Sequence, residues 1–210
     1  MLSALLSLPL DQTLTVWVTH YGPWALAIIA AVVFAETGLV VAPFLPGDSL
    51  LFIAGAVLSV TAQNVHWAAL VLTLAAIAGD ATNFAVGRRA GPWVMRRFGG
   101  RWLEASHLDA TRGYFARFGG STIVIARFVP IVRTLAPFLA GAGDMAYRRF
   151  AIFNVTGAIA WVGLLVYSGA YLGSIPLIRD HLSQVTLAIV ALSILPMGIT
   201  ALRARREHST

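Results

Sequence analysis

Five ionisable residues stand inside apolar runs of the chain: Glu36, Asp48, Asp80, Arg127 and Arg133. An ionised side chain at the centre of a bilayer costs at least about 2.5–3.5 kcal/mol on insertion scales, so such groups generally pair, face a cavity and serve function. Arg127 and Arg133 open the stretch RFVPIVRTLAPFLAGAGD and lie six residues apart across Pro130. Proline interrupts a regular helix, so both guanidiniums can turn towards one cavity. A guanidinium stays charged and matches phosphate oxygens through a planar fork. These two arginines are therefore the candidate phosphate-binding pair. Glu36 and Asp48 can gain a proton. Burial disfavours their charged form and a nearby arginine favours it, which suits proton coupling or charge pairing. The competing reading makes the four charges structural ion pairs that lock two segments together, although desolvation offsets most of the attraction in a buried pair.

Asp80 and Asn83 lie in AGDATNFAVGRRAG, near the cytoplasmic end of their apolar run. They are neighbours, i and i+3, on a helix face. They read as a secondary polar site, with helix packing weighed above substrate contact. No catalytic residue, metal site or cofactor is expected. The chain has no cysteine, and His20, His66, His107, His181 and His208 never fall at metal-ligand spacing. An enzyme is not expected, because no nucleophile stands among the charged segments.

The elements that position these charges follow from composition. The 210 residues are 58% hydrophobic and 11% charged, with a mean hydropathy of +0.78. Soluble domains carry about 25% charged residues, so the chain reads as an all-α, multi-pass membrane protein. No cleaved signal peptide is expected, because the first residues lack a positive n-region. All fifteen basic residues are arginine, and none precedes Arg88. The positive-inside rule explains this better than nucleic-acid binding. It places 88–117 and the C-terminus in the cytoplasm, beside anionic headgroups. Trp17, Trp24, Trp67, Trp93, Trp102 and Trp161 mostly flank apolar segments and read as interfacial anchors. Gly157 and Trp161 also suit close helix packing.

One membrane domain covers 1–210. Residues 1–22 read as an interfacial segment, 23–47 as a first re-entrant hairpin and 48–87 as membrane helices. Residues 88–118 form a basic cytoplasmic or interfacial loop with an amphipathic helix, and 119–144 a second re-entrant hairpin. Residues 150–172 and 185–202 then span the bilayer, and 203–210 form a basic tail. The second hairpin rests on charge. A single crossing of 120–143 would separate Arg112 and Arg117 from Arg148 and Arg149, whereas a hairpin keeps both pairs on one side. Its expected breaks are Pro130, Pro137, Gly141 and Gly143; those of the first hairpin are Pro43, Pro46 and Gly47. APFLPGD (Ala42–Asp48) is echoed by APFLAGAGD (Ala136–Asp144). This makes a pseudo-repeat of two broken hairpins plausible, and broken helices at corresponding positions point to a transporter's binding site. The number of crossings between the hairpins is left open.

FAETGLVVAPFLPGDSLLFIAGAV, GDATNFAVGRRAG and RFVPIVRTLAPFLAGAGDMAYRRFAIFN together resemble the DedA family, also called SNARE-associated or VTT-domain proteins. The resemblance runs from about Gly22 to Gly173. It implies two re-entrant hairpins in a helical membrane bundle. It also implies transport of polyprenyl phosphate, chiefly undecaprenyl phosphate, across the cytoplasmic membrane for envelope polymers, driven in some members by proton-motive force. The acids required in the family match Glu36 and Asp48, and its arginines match Arg127 and Arg133. The alternative is a phospholipid flippase or scramblase, for phosphatidylethanolamine for example, without ion coupling. An intramembrane lipid phosphatase and a structural membrane protein rank below it. The expected partners are the lipid substrate and membrane lipids; a homo-oligomer is compatible with the pattern.

Overall fold

The computed structural model describes residues 10–39, 47–61, 63–98, 115–143 and 145–175. Among them the chain is helical and carries no strand. In chain order the helices are α1 (Leu10–Gly38), α2 (Gly47–Val60), α3 (Val65–Phe98), α4 (Thr122–Ala126), α5 (Pro130–Ala142) and α6 (Tyr147–Gly173). A 3-10 turn, Gly119–Ser121, leads into α4.

Among the described residues two stretches are long and apolar enough to cross a membrane, Val65–Gly91 of α3 and Tyr147–Gly173 of α6. Each has 27 residues. At about 1.5 Å per residue this exceeds the ~30 Å hydrocarbon core. Helices α2 and α5 have 14 and 13 residues. That is too short to cross alone, since a span needs about twenty.

Several boundaries differ from those read in the sequence. Helix α1 runs through Gly22-Pro23 without a break. Neighbouring groups in a membrane protein can satisfy the backbone that a proline frees. Helix α3 continues through Arg88 and Arg89 to Phe98. Charge marks where the apolar stretch ends, but arginine is a good helix former and the helix does not stop with it. Pro137 and Gly141, read as breaks, both lie inside α5, which ends at the cap residue Gly143. Gly47 is the first residue of α2. Pro43, Pro46 and the segments 185–202 and 203–210 lie outside the described residues, as do 99–114 of the basic segment.

The chain divides into two compact units. One comprises Met1–Ile29, Pro46–Ala68 and Leu165–Thr210; the other comprises Ala30–Leu45 and Ala69–Leu164. In the first, α2 and the end of α6 touch backbone to backbone. A Cβ on Gly55 would overlap the Val166 carbonyl oxygen, and one on Gly169 the Phe52 carbonyl oxygen. Small residues permit this approach where lipid supplies no hydrophobic drive between helices. Asn64 accepts from the Trp67 N–H at 3.0 Å at the start of α3. This satisfies one of the donors that every helix start leaves open.

In the second unit α3 and α6 run antiparallel. Asn154 meets Ile77 at one level, and Phe84 stacks on Phe150, with centroids 4.4 Å apart, nearer the other end. Helix α5 packs onto α3 through another reciprocal contact. A Cβ on Gly87 would overlap the Phe138 carbonyl and one on Gly141 the Phe84 carbonyl. This explains Gly141 as a packing residue. Phe84, Ile123, Ala126, Val132, Ala136, Ala140 and Phe150 form the apolar core beside these contacts. Leu70, Leu74, Val86, Ile152, Ile159 and Leu164 stay exposed. So many exposed large apolar side chains on two apolar helices fit a lipid-facing surface.

Candidate functional site

The local sequence around Pro130 builds the site. Helix α4 ends at the cap residue Arg127. Val129 is extended, with φ −121° and ψ 106°, as a following proline demands. Pro130 then opens α5 at a position where its missing N–H costs nothing, and the Arg133 N–H donates to the Val129 carbonyl at 2.9 Å. In one unbroken helix, six residues would place Arg127 and Arg133 about 120° apart around the axis. With the break between them, both reach the same indole. The guanidinium carbon of Arg133 lies 4.0 Å from the Trp161 ring centroid, and that of Arg127 lies 5.8 Å away. Cation–π attraction is strongest for tryptophan and grows when the pair is desolvated.

Both arginines are buried, with 3% and 5% exposure for Arg127 and Arg133. Arg127 donates through Nη2 to Asp80 Oδ2 and, at 2.6 Å, to Asn154 Oδ1. Asn154 is held at its other end, where Nδ2 donates to the Ile77 carbonyl at 3.1 Å. Arg133 Nη2 forms an ion pair with Glu36 Oε2 at 3.5 Å. Asn83 Nδ2 donates to the Thr37 carbonyl at 3.1 Å and the Thr134 carbonyl at 2.9 Å. It thereby ties α1 and α5 to α3 at the level of the charges. Arg127 Nε and Nη1 are buried and have no hydrogen-bond partner among the described residues.

The structure thus brings Glu36, Arg127 and Arg133 into one buried cluster with Asp80 and Asn83. The pairing differs from that read in the sequence: the acid on Arg127 is Asp80, not Glu36 or Asp48. Asp48 belongs to the other unit, where it stands exposed in the first turn of α2. Asp80 also lies deeper than expected, two residues past the centre of Val65–Gly91. Trp161, read both as an interfacial anchor and as a close-packing residue, is 2% exposed and lies one residue past the centre of Tyr147–Gly173, which favours packing. Trp24 and Trp67, by contrast, are exposed. Asn154 went unread. Its signal is spacing: Asn154, Gly157 and Trp161 follow the i, i+3, i+7 stripe of one helix face. Gly157 completes that stripe, because a Cβ there would lie 3.1 Å from Arg127 Cδ and Nε. Two buried guanidiniums and two buried carboxylates in one cluster can neutralise one another at rest and receive an anion. Among the described residues no group of histidines and acids could hold a metal ion.

The VTT domain model matches residues 45–171. Protein DedA of Escherichia coli (strain K12) is 46% identical over 201 residues, covering 95% of this chain and 92% of that protein. Uncharacterized membrane protein Rv0364 of Mycobacterium tuberculosis (strain ATCC 25618 / H37Rv) is 36% identical over 190 residues, covering 90% and 83%. Inner membrane protein YghB of Escherichia coli (strain K12) is 33% identical over 174 residues, covering 82% and 80%. No solved structure matches the chain. The domain match spans the helices that carry Asp80, both arginines and Trp161, and the relatives run nearly the full length: the chain belongs to the DedA family of VTT-domain membrane proteins.

Proposed function

We propose that this protein moves a phosphate-headed lipid, a polyprenyl phosphate such as undecaprenyl phosphate, between the leaflets of the cytoplasmic membrane for envelope polymer synthesis. One observation carries the reading. Two buried guanidiniums share the Trp161 ring near the centre of an apolar span, and one of them keeps Nε and Nη1 without a hydrogen bond among the described residues. Leaving buried donors unsatisfied is costly, and a phosphate would satisfy them with charge-assisted bonds. A binding site near the bilayer midplane is what alternating access requires. The isoprenoid nature of the lipid comes from the family resemblance.

The short helix α5 supports the reading of 119–144 as a re-entrant segment. It is too short to span, and reciprocal glycine contacts press it onto a longer apolar helix. The first re-entrant segment, 23–47, and the pseudo-repeat rest on the echo of APFLPGD in APFLAGAGD. Arg88, Arg89, Arg117, Arg148 and Arg149 belong on the cytoplasmic side by the positive-inside bias. Glu36, paired with Arg133, is the acid that takes up a proton as phosphate exchanges. The protein performs no covalent chemistry.

The test is a headgroup-accessibility assay on protein reconstituted into vesicles containing polyprenyl phosphate. Arg127→Ala and Glu36→Gln should each slow translocation at least tenfold. Unchanged rates in both variants would reject the site. Equal rates with and without a pH gradient would reject the proton role alone. Competition by phosphatidylethanolamine as strong as by polyprenyl phosphate would instead favour the scramblase.

A further inference from the structure

A guanidinium has two edges that can grip an anion with parallel bonds, Nε–H with one Nη2–H and Nη1–H with the other. Both edges need Nη2. In this protein the two Nη2 hydrogens of Arg127 are taken by Asp80 Oδ2 and Asn154 Oδ1. Nε and Nη1, the other half of each edge, have no hydrogen-bond partner among the described residues. No anion can therefore take a bidentate grip on Arg127 until one Nη2 partner leaves.

The two partners are not equivalent. Asn154 is neutral and is anchored at its far end by the Ile77 carbonyl. The Asp80 carboxylate has Arg127 as its hydrogen-bonding partner among the described residues, and it carries the same sign of charge as the incoming phosphate. Like charges at one site repel. Bringing a phosphate to Arg127 thus weakens the Asp80 contact and leaves the Asn154 contact in place.

We infer that Asp80 is an internal competitor for the phosphate site: its carboxylate occupies Arg127 when the site is empty, is displaced by the phosphate, and returns to expel it. This inference deepens the proposed function and rests on its phosphate site. Asp80 gives the site a resting occupant, so that two buried cations are never left bare near the bilayer midplane. It also prevents the lipid from binding so tightly that it cannot leave. A site blocked by its own side chain shows an affinity reduced by the fraction of time it is open.

The test measures binding of geranyl monophosphate to the full chain in detergent by calorimetry, with inorganic phosphate as a second arm, and translocation in vesicles. Asp80→Asn should tighten geranyl phosphate binding by about tenfold or more while slowing turnover. Weaker or unchanged binding in Asp80→Asn would overturn the inference, because mere structural support for Arg127 predicts a loss. Normal binding by Arg127→Ala would show that the phosphate site itself is misassigned, a failure distinct from that of Asp80. Should Asp80→Asn fail to fold, infrared difference spectra of the unsubstituted protein decide. Geranyl phosphate should shift a carboxylate band whose frequency changes in Asp80→Glu, and no carboxylate response would overturn the inference. A shift with inorganic phosphate too supports displacement by the headgroup alone; a shift with geranyl phosphate only supports displacement by the lipid.

Discussion

Arg133 lies face-on to Trp161, its guanidinium carbon 4.0 Å from the ring centroid, and the same ring reaches Arg127 at 5.8 Å. One aromatic side chain thus lies beside both cations. Replacing Trp161 with Phe keeps an apolar ring but weakens the cation–π attraction. Translocation should fall severalfold, with a small loss of stability. Replacing it with Ala also opens a cavity, and stability should drop by about 3–5 kcal/mol. Unfolding in graded detergent mixtures and the accessibility assay together separate the two effects.

Asn83 bridges the Thr37 and Thr134 carbonyls. Asn83→Leu removes two buried hydrogen bonds and leaves two carbonyls to find other donors. The expected cost is about 1–3 kcal/mol, at the low end if lipid-exposed alternatives compensate. Because Asn83 touches neither arginine in the hydrogen-bond network, stability should fall more than translocation per folded protein.

Gly157 should behave in the opposite way. A methyl group there would press on Arg127 Cδ and Nε at 3.1 Å, so the guanidinium must shift by a few tenths of an ångström. Gly157→Ala should cut phosphate binding and transport with little effect on unfolding. Reversing that order of effects would make Gly157 a packing residue only.

Gly55 probes the other unit. Its Cβ would overlap the Val166 carbonyl, and backbone cannot swing aside as a side chain can. Gly55→Leu should separate α2 from α6 and destabilise the protein by more than about 2 kcal/mol, as overpacking does. The measurement is unfolding in graded detergent mixtures.

What the sequence made legible was chemistry and local geometry. Arginines in an apolar run announce a site because of their cost, and Val129-Pro130 announces a break because proline dictates the backbone before it. Partner identity was not legible. Asp80 and Arg127 are 47 residues apart, and no local rule tells which acid a distant arginine will meet. Trp161 carried two readings, interfacial anchor and close packing, because its sequence neighbourhood looks like that of the exposed tryptophans; only the direction of its helix face decides for packing. Pro137 and Gly141 looked like breaks because both weaken helices. A membrane helix tolerates the proline, and close packing on α3 requires the glycine.

Along α3, Gly79, Asn83, Gly87 and Gly91 are buried, while Leu70, Leu74, Ala78, Thr82 and Val86 are exposed. Both series step by four residues, and they interleave. The helix therefore works as a ruler written in mutational tolerance. Saturation mutagenesis scored by survival should give an oscillation of period four, with troughs at 79, 83, 87 and 91 and crests at 70, 74, 78, 82 and 86. The phase of that wave would report, from living cells and without any purified protein, which side of α3 faces its neighbours and which faces lipid.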